Sequence, residues 1–144
     1  MTKFIQKIKI VTLAIGITFA IAPLSSCKKY DEGPYLSLRS KTERAANTWK
    51  AEKVTEGGKD ETSSYSEVRV TLTKGGDYTI TSGKGIFSMP ATGTWSFVND
   101  KEDIQTTSDP ILGASKVKTF HIIKLMESQL WVREGDTEFH LIPA

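Results

Sequence analysis

His121 and His140, the two histidines of this 144-residue chain, are the first candidates for chemistry. Paired imidazoles can ligate a metal or move protons in general acid–base catalysis. These two fall on strand-like segments with a third between them. On one face they would stand roughly 10 Å apart, two strand spacings, too far for joint ligation without a third ligand. Other catalytic patterns are missing too. No serine lies in Gly-x-Ser-x-Gly ahead of a helix. Gly75-Gly76 and Gly83-Lys84-Gly85 read as turn glycines and not as a phosphate cradle, because no helix follows them. No carboxylate pair sits in an apolar setting. The expectation is a non-catalytic protein with no metal and no cofactor.

Cys27 is the only cysteine, so no intrachain disulfide is available to it. Lys3, Lys7 and Lys9 precede an apolar run from Ile10 to Leu24, and Ser25 and Ser26 lead into the cysteine. Positive segment, apolar core and small-residue cleavage site together read as a secretory signal. The 15-residue run is shorter than the roughly 20 residues that a spanning helix needs. Leu24-Ser25-Ser26-Cys27 resembles the bacterial lipobox, in which the cysteine is acylated and the peptide is cut before it. Two or more acyl chains give stable anchoring at about 0.8 kcal/mol per buried CH₂. A retained N-terminal anchor helix is the alternative. Residues 1–26 are thus expected to be a lipoprotein signal peptide, 27–37 a lipid-anchored tether, and 38–144 the folded domain.

Composition agrees with one soluble domain: 25% charged, 38% hydrophobic and 9% aromatic residues. The formal charge of +2 comes from the leader. Of 19 basic residues, the three leader lysines go with cleavage, leaving 16 against 17 acidic. A near-neutral domain with no basic stripe argues against nucleic acid.

The elements that must position any site are read from periodicity. Ser40-Lys41-Thr42-Glu43 fits a capping box, with Arg44-Ala45-Ala46 continuing a short helix. After Asn47 the period becomes two. Thr48 to Thr55 carries Trp49 and Ala51 and then slips to Val54, which suggests a bulge. Further strands are expected over Glu67 to Thr73, Asp77 to Thr81, Thr92 to Val98, Glu102 to Thr107, Val117 to Leu125, Gln129 to Glu134 and Thr137 to Ile142. Eight antiparallel strands with mostly short links favour an all-β up-and-down barrel, with a sandwich as the rival.

The long connections, Glu56 to Ser66, Ser82 to Ala91 and Ser108 to Lys116, all belong to one end of a meander. That end becomes an open mouth, and the tether attaches at the opposite, closed end. Ile86, Phe87, Met89, Ile111 and Leu112 would rim the mouth. Trp49, Tyr78, Trp95, Phe97, Phe120 and Phe139 point inward, either lining an apolar ligand cavity or filling the barrel as its core. Trp131 is out of phase with Leu130 and Val132 and should face outward.

The lipobox, the tether Lys28-Lys29-Tyr30-Asp31-Glu32-Gly33-Pro34, and Asn47-Thr48-Trp49 opening the first strand resemble the lipocalin-like lipoproteins of the Bacteroidota. Gly93-Thr94-Trp95-Ser96-Phe97, Leu130-Trp131-Val132-Arg133 and Phe139-His140-Leu141 extend the resemblance along the chain. It implies a ligand-binding barrel whose first-strand tryptophan plugs the closed end. Asn47 replaces the usual glycine there, and asparagine tolerates a left-handed backbone. The acidic pair Asp31-Glu32 is similar to an export signal for surface display, with the inner leaflet of the outer membrane as the alternative. The implied partners are the membrane, through acylated Cys27, and a small apolar or amphipathic ligand. If the barrel is filled, the rim becomes a docking patch for an envelope protein instead.

Overall fold

The computed structural model describes residues 37–81, 89–110 and 114–144. The leader, Cys27, the tether up to residue 36, and the rim residues Ile86, Phe87, Ile111 and Leu112 lie outside the described residues.

Ser40 caps helix α1 (Lys41–Ala45) through the expected box: its side chain accepts from the Glu43 amide, and the Glu43 carboxylate accepts from the Ser40 amide. The strands are β1 (Thr48–Glu56), β2 (Lys59–Asp60), β3 (Arg69–Leu72), β4 (Asp77–Ile80), β5 (Ala91–Val98), β6 (Asp103–Ser108), β7 (Val117–Leu125), β8 (Leu130–Glu134) and β9 (Thr137–Pro143). All pairings are antiparallel, and β9 returns to pair with β1. β1 and β3 to β9 close an eight-stranded up-and-down barrel, so the sandwich is excluded.

The ninth strand was not anticipated. Gly57 and Gly58 take φ of 54° and 81°, the geometry of a two-residue hairpin, and fold β2 back onto the end of β1. Because β2 is only a two-residue stub, the alternation of connections between the two ends is unchanged. The slip in β1 is a bulge between Ala51 and Lys53, and a second bulge between Ile122 and Lys124 brings Leu125 inward.

The closed end is built by the N-terminal segment. Trp49 is fully buried, and its indole N–H donates to the Ala45 carbonyl at 2.8 Å. Glu43 faces Lys74 at 3.5 Å and Arg39 faces Glu127 at 3.6 Å, so α1 and the residues before it span the tight turns 73–76 and 126–129. Asn47 does not use a left-handed backbone. Its side-chain oxygen accepts from the Thr48 amide and its carbonyl from the Leu72 amide, which fixes the strand entry without positive φ.

Candidate functional site

At the loop-rimmed end, inward positions change from carbon to polar. One level down lies a cavity of about 40 Å³ with a wall made only of apolar atoms. It is lined by Val70, Leu72 and Ile80 on one side, by Ile104, Thr106 and Phe120, and by Leu130, Val132, Phe139 and Leu141. Thr106 therefore presents its methyl group to the cavity. Val70 and Ile80 are only partly buried, so the hollow is shielded least on that side.

Two residues further along the same strands, about 6.8 Å nearer the mouth, the inward positions are Ser108, Lys118, Glu134 and Thr137. Lys118 pairs with Glu134 at 3.1 Å, and both side chains are about one-third exposed. Lys118 is in phase with Phe120, and Glu134 with Val132, so this ion pair stands inside the barrel mouth and not on its wall. The Ser108 hydroxyl accepts from the Lys116 amide. Thr137 is 94% buried, and its hydroxyl has no hydrogen-bond partner among the described residues. Sequence reading missed this collar, although most of its phase was legible: Lys118, Glu134 and Thr137 each lie two residues from an inward residue of the pattern.

The long first connection does more than rim the mouth. Its 3₁₀ turn, Thr62–Tyr65, is tied to β1 by a hydrogen bond from the Val54 amide to the Thr62 hydroxyl. Tyr65 is buried against Phe139. Burial pushes the Tyr65 hydroxyl pKa above its usual 10.0, and the negative charges of Glu56 and Glu61 add to the effect. Burial likewise raises Tyr78, with a contribution from Asp109.

Of the six inward aromatics, Phe120 and Phe139 line the cavity. Trp49 lines a separate void of about 10 Å³ below Tyr65, shared with Val68, Val70 and Phe139. Tyr78 and Trp95 belong to the packed core, where the Trp95 indole donates to the Thr73 carbonyl at 2.9 Å. Phe97 is partly buried and meets Trp95 edge to face. Met89, the one described rim residue among those singled out, is 59% exposed.

Both histidines face outward on strands with β8 between them. His121 Nδ1 pairs with Asp103 at 2.8 Å, and His140 Nε2 with Glu138 at 2.6 Å. Trp131 is also on the outer wall, stacked on His140 at 3.9 Å with the Lys124 ammonium 4.2 Å from its ring centroid. Among the described residues no group of three or more His, Cys, Asp or Glu side chains is placed to hold a metal.

No family model matches the chain, and no curated protein matches it. Solved structures do. A lipocalin-like protein from Bacteroides uniformis superposes with a TM-score of 0.56 at 15% identity, covering 70% of this chain and 99% of that one. An uncharacterized protein from Bacteroides eggerthii superposes with a TM-score of 0.55 at 11% identity, covering 69% and 99%. At such identities the likeness establishes a lipocalin-like fold.

Proposed function

We propose that this lipocalin-like barrel is a non-catalytic binding protein that holds a small amphipathic ligand at its mouth. The observation that carries the reading is a carbon-walled cavity lying directly beneath a polar collar, an order that matches an apolar tail under a polar head. The cavity, at about 40 Å³, is far smaller than the roughly 300–1,000 Å³ of most ligand pockets. The ligand therefore has a short apolar end, seated in the cavity, with its polar head at the collar just above.

We place the protein at the outer membrane, held by acylated Cys27. The position of Ser37 to Ala45 across the closed end supports an orientation with the mouth turned away from the anchoring membrane. Cys27→Ser is expected to release the domain from membranes; continued sedimentation with them would refute the anchor.

Native mass spectrometry of the chain from Lys28 onward tests binding. The protein is purified both from its own envelope and from a foreign host. A reproducible added mass, removed by organic solvent, supports the reading, and a bare mass from both sources opposes it. The small cavity and the exposed rim residues Met89 and Val117 favour a second reading, a filled barrel that docks an envelope protein through its rim. Phe87→Asp combined with Ile111→Asp should abolish such docking while only weakening ligand entry.

A further inference from the structure

Resting on the ligand-binding reading, we infer that the head group taken at the mouth is a protonated amine, held between Glu56 and Glu134 over the hydroxyl of Thr137. The three residues form one cross-strand row: Glu56 on β1 pairs with Thr137 on β9, which pairs with Glu134 on β8. Alternation puts all three on the inward face, in phase with Val54, Phe139 and Val132. Glu56 and Glu134 thus flank Thr137 at about one strand spacing, ~4.8 Å, on either side. Both carboxylates are on side chains long enough to converge above it.

Three features make this row a receptor for a cation and not a plain acidic surface. Thr137 is 94% buried, yet its hydroxyl makes no hydrogen bond among the described residues and is not sealed from solvent, so it is open to a donor at the mouth. Glu56 makes no ion pair or side-chain hydrogen bond among the described residues, and Glu134 has only Lys118. The carbon-walled cavity begins one level below, where Phe139 and Val132 are the next inward residues on the same strands. An alkylammonium has three N–H donors for these three acceptors, and its chain continues into the cavity.

The surrounding charge has the same sign. Glu61 and Asp136 join Glu56 around an open depression at this corner, with Lys59 as its one cation, and Lys118 is the other ammonium nearby. A carboxylate head would meet this excess of negative charge, whereas an amine gains charge-assisted hydrogen bonds that strengthen as water is excluded.

The test uses the chain from Lys28 onward, which keeps every residue of the core cluster, between Ala45 and Leu141. Butylamine, butanol and butyrate share one short tail, in keeping with the small cavity, and differ only in the head. Calorimetric titration at neutral pH should rank the amine about tenfold tighter than the alcohol, with the carboxylate weakest. Glu56→Gln combined with Glu134→Gln should bring the amine down to the alcohol and leave the alcohol unchanged. Lys118→Met, which frees Glu134, should tighten the amine further. Equal binding of all three probes would overturn the amine inference and leave the ligand-binding reading standing. Tightest binding of butyrate, lost in Lys118→Met, would overturn it in favour of an anionic head. Binding of none would overturn both.

Discussion

The rings of Tyr65 and Phe139 meet edge to face, 5.7 Å apart and 83° from parallel, and this contact fastens the first long connection into the barrel interior. Phe139 lines the cavity on one side and the smaller void beneath Tyr65 on the other. A segment that reads as loop in the sequence therefore closes the smaller void, while Val70, Phe139 and Leu141, which line both spaces, form the wall between them. Tyr65→Ala should cost about 3 kcal/mol or more in urea unfolding, since it leaves a hole that β1 and β9 cannot collapse to fill. It should also enlarge the void beneath Tyr65 and raise uptake of an apolar dye. An unchanged dye signal would show that the void stays closed without the Tyr65 ring.

Trp49 should be the least replaceable residue of the closed end. Trp49→Phe retains an aromatic ring but strands the buried Ala45 carbonyl that its indole now satisfies. A loss of about 1–3 kcal/mol is expected for that unpaired group. Trp49→Ala should cost about 3–5 kcal/mol. Chemical denaturation of both variants, with α1 followed by amide exchange, separates the hydrogen-bond contribution from the packing contribution.

Gly93 permits a close approach that no side chain allows. A Cβ there would collide with the Thr107 carbonyl and come within 2.9 Å of the Tyr78 ring, its cross-strand neighbour. Gly93→Ala should therefore part β5 from β6 or displace Tyr78, at a cost of about 1–3 kcal/mol or more. Ser96→Ala, on the exposed face of the same strand, should stay within about 0.5 kcal/mol of the parent. Equal melting temperatures for the two variants would contradict this packing.

On the outer wall, a hydrogen bond from Arg133 and then one with His140 hold the Glu138 pKa below its ordinary 4.5. The fold thus favours the charged carboxylate. That stabilisation is complete above 4.5 and disappears as pH falls through the lower folded value. Asp103, held below 3.8 chiefly by Asn99 and also by His121, acts in the same direction. Glu138→Gln should flatten the acid limb of a stability-versus-pH curve by about 0.5–1 kcal/mol, given that Arg133 is half-exposed. An acid limb identical to the parent's would remove Glu138 from the account.

Sequence alone determined the features that depend on neighbours along the chain. The period-two runs, the capping box at Ser40 and Glu43, the slip at Val54, and short turns alternating with long connections define a meander with one loop-rimmed end. Each is a local backbone or patterning preference that a linear reading can register. Gly57-Gly58 is an equally local hairpin signal, set inside a long connection. Tyr65 carried no signal, because a single buried residue in an irregular segment has no period.

Tertiary structure decided what proximity in space decides. Closure of β9 onto β1 excludes the sandwich and brings Glu56, Thr137 and Glu134 into one row, although Glu56 is far from the other two in the chain. Whether inward aromatics fill or line the barrel is a question of volume, and volume depends on how all eight strands tilt and pack together. Lys118 shares the phase of Phe120 along the chain, but its pairing with Glu134, 3.1 Å away inside the mouth, belongs to the tertiary structure. A charge on an inward face is costly unless partnered, and the pairing of β7 with β8 supplies the partner.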